Sequence, residues 1–196
     1  MAEGKLNIIL GSQSPRRREL MSGLDIPYRA ISIDADESYP QELEGGDIPI
    51  YISRAKAQAY IAHLHADELL ITADTIVWLN GKMLGKPHDE SAAREMLRQL
   101  SGKVHQVYTG VTFTRMIDGA PVMESLVDKT DVTFRNLREE EIDYYVENYK
   151  PLDKAGAYGV QEYIGYIGVS GMNGSYFNVM GFPIARVYEV LKRLGC

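Results

Sequence analysis

Apolar and polar positions along this chain switch repeatedly between a two-residue and a three-to-four-residue period. The short run Leu6-Asn7-Ile8-Ile9-Leu10 predicts a buried strand. A Gly-Ser-Gln-Ser loop follows, and Pro15 then opens a helix with Ser14 as its N-cap. Residues 27–33 predict a second strand, and the acidic, glycine-containing stretch 34–46 a loop. Residues 47–65 predict a long helix that buries Ile48, Ile52, Ala55, Ala59 and Ala62. Lys56 lies about 80° from the centre of that stripe and reaches past its rim. Leu69 to Leu79 predict a strand broken at Ala73-Asp74-Thr75, and Asn80-Gly81 a hairpin turn. Asp89 caps a helix with Ala93, Met96, Leu97 and Leu100 inward. Two long strands, 103–116 and 121–134, flank the turn Asp118-Gly119-Ala120-Pro121. A helix over 138–149 starts on Glu139, Glu140 and Glu141, which the helix dipole favours, and stops at Lys150-Pro151. The glycine-rich stretch 152–182 contains a strand-like run from Tyr163 to Val169. A last helix, 183–194, turns Ile184, Val187, Tyr188 and Leu191 inward. Parallel-capable βα units plus a long hairpin make this an α/β or α+β sheet protein.

Composition narrows the class. The chain has 196 residues, 45% hydrophobic and 24% charged, so it can bury a core without staples, and no linker divides it. The expectation is a single domain over residues 1–196. Cys196 is the one cysteine, which excludes an internal disulfide framework and a cysteine-rich metal cluster. A net charge of −6 argues against a wide nucleic-acid-binding face. No apolar run approaches the ~20 residues of a membrane span, and Leu6 to Leu10 is too short for a signal-peptide core. The expected location is the cytoplasm, with no nucleic-acid or membrane partner.

Five segments carry candidate chemistry. In Gly11-Ser12-Gln13-Ser14-Pro15-Arg16-Arg17, a strand, a small-residue loop and a helix N-terminus make an anion site. Two arginines in a first helical turn conflict with the dipole unless a polyanion sits there; otherwise they form a solvated basic surface. Asp74, between Ile71 and Val77, is costly in an apolar strand unless paired or functional. Its alternative is a turn aspartate capping an N–H. Lys86, held in Leu84-Gly85-Lys86-Pro87, suits a phosphate contact or is an exposed hairpin lysine. The acidic stretch Asp34-Ala35-Asp36-Glu37 matches the one or two carboxylates Mg²⁺ takes beside substrate phosphates, or is a solvated loop. In Asp153-Lys154-Ala155-Gly156-Ala157-Tyr158-Gly159-Val160-Gln161, small residues permit close approach and Gln161 can read a base edge, or the segment is a tight turn packed under the helix. The histidines form no catalytic or metal-binding constellation.

Taken in order, six runs resemble the Maf family of nucleoside triphosphate pyrophosphatases. They are Gly11 to Arg17, Ala73-Asp74-Thr75, Leu84 to Pro87, Ser101-Gly102-Lys103-Val104-His105, Asp153 to Gln161, and Asn178-Val179-Met180-Gly181-Phe182-Pro183. The resemblance implies a mixed α/β fold with a twisted central sheet, flanking helices and a cleft between two lobes, akin to inosine triphosphatase. It also implies a homodimer and Mg²⁺-dependent cleavage of a nucleoside triphosphate to monophosphate and pyrophosphate. Asp74 matches the family's proton acceptor. Arg16, Thr75 and Gln161 match the positions that set base choice, in the combination of the dTTP/UTP branch. Ser12, Arg17, Glu37, Lys56 and Lys86 match polar positions lining the cleft; Glu37 or Asp74 is the expected metal contact, with Asp74 either proton acceptor or metal ligand. Gly11, Val160 and Phe182 stand where the family usually has alanine, isoleucine and leucine. A purine-selective relative of inosine triphosphatase, or a nucleotide-binding regulator of septum formation, are the competing readings.

Overall fold

A computed structural model describes residues 6–196. Its strands are β1 (Asn7–Gly11), β2 (Tyr28–Ile31), β3 (Glu68–Leu79), β4 (Lys82–Leu84), β5 (Val104–Ile117), β6 (Ala120–Phe134) and β7 (Val169–Asn173). Its helices are α1 (Pro15–Ser22), α2 (Asp47–Tyr60), α3 (Glu90–Leu100), α4 (Glu139–Tyr149), α5 (Tyr163–Gly168), α6 (Tyr176–Met180) and α7 (Ile184–Arg193). Short 3₁₀ turns occupy Ile61–His63, Pro151–Asp153 and Ala155–Ala157. Among the described residues the strands form one seven-stranded mixed sheet, ordered β2-β1-β3-β5-β6-β7, with β4 paired to β3. β1 runs parallel to β2 and β3, while β4 and β7 run antiparallel to β3 and β6. The class is the mixed α/β one that the resemblance implies, between the α/β and α+β classes that the periodicities leave open.

The chain forms two compact units. One holds residues 6–74, Thr109–Asp128 and Gly181–Cys196; the other holds Thr75–Tyr108 and Lys129–Met180. Each unit is thus built from segments distant in sequence, and β3, β5 and β6 each contribute to both.

In the first unit the two-residue period of β1 and β3 sorts side chains to two faces. Ile8, Leu10, Leu69, Ile71 and Ala73 pack with Met21 of α1 and with Val187 and Leu191 of α7. Ile9 and Leu70 take the other face with Ala57 of α2. Burying a side chain of this size contributes about 1.5–3 kcal/mol, so the double-sided strands anchor this unit. Thr72 and Asp74 share Leu70's parity and therefore point to the α2 face.

Four local expectations change. β3 runs unbroken through Ala73-Asp74-Thr75, because Asp74 is paired rather than placed in a turn. Tyr163 to Gly168 is a helix and only Val169 starts a strand; so short an apolar run has no decisive period. α2 buries Ile48, Pro49, Ile52, Ser53 and Ala57, whereas Ala59 and Ala62 are exposed. The cause is close docking: a Cβ on Gly110 would lie 2.5 Å from Ile50 N, so the first turn of α2 sits directly on the backbone of β5. Ser53 is drawn inward by the Thr112 hydroxyl, 2.8 Å away. In α7, Val190 is buried and Tyr188 is exposed.

The turn and cap signals hold. Ser14 accepts the Arg17 N–H and Asp89 accepts the Ala92 N–H. Asn80 and Gly81 have φ 50° and 79°, and Asp118 and Gly119 have φ 51° and 78°. Those paired positive values suit tight hairpin turns.

Candidate active site

The residues singled out in the sequence fall into two sets, one in each unit. The first set is Ser12, Arg16, Arg17, Glu37, Lys56 and Asp74. Its framework is a pair of rungs from β3 to α2. Thr72 donates its hydroxyl proton to Ser53 O at 2.7 Å. Two residues on, Asp74 Oδ1 accepts from Lys56 Nζ at 2.9 Å. The spacing follows from the two periods: i and i+2 share a strand face, and i and i+3 share a helix face. The Lys56 and Asp74 side chains are only 12% and 15% exposed, so the ion pair is poorly screened. Lys56 Nζ also meets Glu37 Oε1 at 2.9 Å, from the half-exposed acidic loop. Two carboxylates therefore converge on one ammonium.

The opposite face of the strand end is braced by α1. Arg17 donates Nε–H to Gly181 O at 2.8 Å and an Nη1–H to Ala73 O at 3.0 Å. The carbonyl before Asp74 is thereby fixed. Burial pulls the Arg17 guanidinium below its ordinary value; Asp74 and Glu37 oppose that, and Arg16 adds to it. Ser12 is buried at the end of the β1 loop, and its Oγ accepts from Ser14 N–H at 3.2 Å. The Arg17 Nη1 lies 3.5 Å from the same oxygen. The Gly11–Arg17 segment is thus built as a strand–cap–helix junction, and Arg17 spends much of its fork on backbone carbonyls.

The second set is Thr75, Lys86 and Gln161. Thr75 directly follows Asp74 on β3. Lys86 is exposed and forms no ion pair among the described residues. Its loop is tied to the glycine-rich segment, because Gly156 N–H donates to Gly85 O at 3.0 Å. Gly156 and Ala157 both have positive φ, 67° and 59°. A Cβ on Gly156 would lie 2.9 Å from Val77 Cγ2, so the tight path needs glycine there. Gln161 Oε1 is buried and has no hydrogen-bond partner among the described residues. A buried acceptor left open costs about 1–3 kcal/mol and is a place for a ligand donor.

Sequence reasoning missed the supports of that segment. His105 is fully buried on β5, with Nε2 2.7 Å from the Tyr158 hydroxyl. The His105, Tyr158 and Phe134 rings meet edge to face. Burial lowers the His105 imidazole to about 4 and raises the Tyr158 phenol. Lys154 is buried between Asp153 and Glu162, at 2.8 and 3.1 Å. No periodicity marks these partners; His105 meets Tyr158, and Lys154 meets Glu162, only through the fold.

A family model described as Maf-like protein matches residues 7–194. The chain belongs to the Maf-like family. Within that family it is 56% identical over 191 residues to the dTTP/UTP pyrophosphatase of Phocaeicola vulgatus, covering 97% of each chain. It is 57% identical to the dTTP/UTP pyrophosphatase of Bacteroides thetaiotaomicron, again over 97% of each. The dTTP/UTP pyrophosphatase of Porphyromonas gingivalis strain W83 is 48% identical over 194 residues, 97% of this chain and 96% of its own. Among solved structures, the Staphylococcus aureus Ham1 protein aligns with 94% of this chain and 99% of its own, at 15% identity and TM-score 0.49. Among the described residues of this Maf-like chain, no helix is long and apolar enough to cross a membrane.

Proposed function

We propose that this Maf-like chain hydrolyses dTTP and UTP to the nucleoside monophosphate and pyrophosphate. The observation that carries the reading is Asp74. It is a carboxylate on a strand otherwise apolar around it, held at 2.9 Å by a lysine that also holds Glu37. The relatives' names supply the substrate class, since the match spans almost the whole of each chain.

In this reading Asp74 takes the proton of a water that attacks the α-phosphorus. A water O–P bond forms, the bond from the α-phosphorus to the bridging oxygen breaks, and pyrophosphate leaves with the bond's electron pair. Lys56, Arg16 and Arg17 supply positive charge around that carboxylate, and Lys86 is the exposed cation able to meet a phosphate. Lys56 also holds Asp74 in one orientation. The open Gln161 Oε1 is an acceptor of the kind that the N3–H of uracil or thymine requires.

Glu37 and Asp74 are hard oxygen donors aimed at one cationic atom, a donor set that fits a divalent ion of the Mg²⁺ type. Among the described residues no group of three such ligands exists. Mg²⁺ characteristically takes one or two carboxylates and fills the rest of its shell with substrate phosphates and water. An ion held there by Glu37 or Asp74 would supply charge neutralisation for the leaving pyrophosphate.

The test is pyrophosphate release from UTP, dTTP, CTP, GTP and ITP at matched concentrations. UTP and dTTP should give the highest kcat/KM. Faster turnover of ITP or GTP would replace this reading with the purine-selective one.

A further inference from the structure

Gln161 lies between two neighbours that the second unit holds unusually firmly. Val160 precedes it, and a Cβ on Gly165 of α5 would lie 2.0 Å from Val160 O, so that helix rests on this carbonyl. Glu162 follows it. The Tyr145 hydroxyl on α4 donates to Glu162 Oε2 at 2.5 Å and accepts the Gly159 N–H at 3.0 Å. Tyr145 is fully buried, and burial together with Glu162 pushes its phenol upward, which keeps the donating proton in place. The second carboxylate oxygen of Glu162 pairs with buried Lys154 at 3.1 Å. A Cβ on Gly159 would lie 2.8 Å from Glu162 Cδ, so only glycine lets this carboxylate fold back over the segment. One phenol oxygen thus closes a loop from two residues before Gln161 to one residue after it.

We infer that Tyr145 is a positioning residue for base selection, fixing the amide of Gln161 through Gly159 and Glu162. The inference rests on Gln161 being the base reader. An amide distinguishes the imide of uracil from the amidine edge of cytosine only if it is not free to turn over. With its Oε1 unpartnered among the described residues, Gln161 has no bond of its own at that oxygen to prevent this. The backbone on either side then sets how the amide is presented, and Tyr145 ties both sides together. Lys154 orients Glu162 and so extends the same clamp.

The experiment measures the ratio of kcat/KM for UTP over CTP, each pair on one preparation, so that a reduced active fraction cancels. Gln161→Ala should narrow the ratio. Tyr145→Phe keeps the ring and removes the oxygen; it should narrow the ratio by roughly fivefold or more. Glu162→Gln keeps an acceptor for Tyr145 but loses the charge facing Lys154, and should narrow the ratio less. It also provides the reading if Tyr145→Phe does not fold. Val190→Ala, on the buried face of α7 in the first unit, is the control for stability alone and should leave the ratio unchanged. A narrowed ratio in Gln161→Ala with unchanged ratios in both clamp variants overturns the role of Tyr145. So does a Val190→Ala shift as large as that of Tyr145→Phe. An unchanged ratio in Gln161→Ala instead removes the base reader, and the clamp's role in base selection falls with it.

Discussion

The end of β3 and α2 in the first unit, and the 153–162 segment in the second, solve opposite electrostatic problems. Around Asp74 the charges are many and internally matched. Lys56 serves two carboxylates, and Arg17 leans on two carbonyls. Around Gln161 the charges are few and turned inward, Lys154 to Glu162, while a neutral amide oxygen is left open. The first arrangement suits a highly charged ligand, whose arrival exchanges one set of ion pairs for another. The second suits a neutral ring edge, for which a fixed dipole discriminates better than a charge. Phosphate chemistry and base choice should therefore respond to different mutations.

The largest effect should come from breaking the charged region at its centre. Asp74→Asn should fold, because the amide keeps the shape and still accepts from Lys56. It should lose about 10²–10⁴-fold in turnover as the proton acceptor disappears. Pyrophosphate release beside a thermal melt checks both parts; retained turnover above about a tenth of wild type would remove Asp74 from that role.

The next effect belongs to the second region and concerns stability. His105 is neutral when folded, with its imidazole lowered to about 4 from 6.5 by burial. Between those values the unfolded chain binds the extra proton. Stability is therefore complete above pH 6.5, declines as pH falls, and levels off below about 4, a loss of about 3 kcal/mol from this group. Urea unfolding across that window should show the decline, and His105→Gln should flatten it. An equal pH dependence in the variant would place the acid sensitivity elsewhere.

Two cations sharpen the contrast between matched and open groups. Arg17→Ala should lower stability by about 1.5–3 kcal/mol, because its bonds to Gly181 O and Ala73 O are internal. Lys86→Ala should leave the melt unchanged and raise KM for every triphosphate alike, by about 10- to 150-fold if its phosphate contact is charge-assisted. Exchange of those two outcomes would reverse the assignment of brace and phosphate contact.

The smallest expected change in rate is the most selective. Gln161→Ala should reduce the preference for UTP over CTP about 5- to 150-fold, the cost of an unmatched buried polar group, without altering the salt dependence of binding. A changed salt dependence would mean that Gln161 acts on phosphate contacts instead.

The sequence by itself determined the alternation of β1 and β3, the caps at Ser14 and Asp89, and the turns at Asn80-Gly81 and Asp118-Gly119. Each depends on residues within a few positions, where steric and hydrogen-bonding preferences are local. It also exposed Asp74 as an anomaly, because a carboxylate in an apolar run violates a local rule. Only the tertiary structure decided how that anomaly is settled. Lys56 lies 18 positions away and reaches Asp74 because Gly110 lets α2 seat on β5, rotating the buried face away from the alanine stripe that periodicity favours. The helix at Tyr163–Gly168 was illegible for the same reason, since six residues carry too little period and the contact of Gly165 with Val160 O is a packing fact. His105 and Tyr158, 53 positions apart, and Tyr145 and Glu162, 17 apart, left no mark on the sequence pattern. A buried hydrogen bond between such partners depends on where the backbone brings them, and the identity of either residue alone does not specify the other.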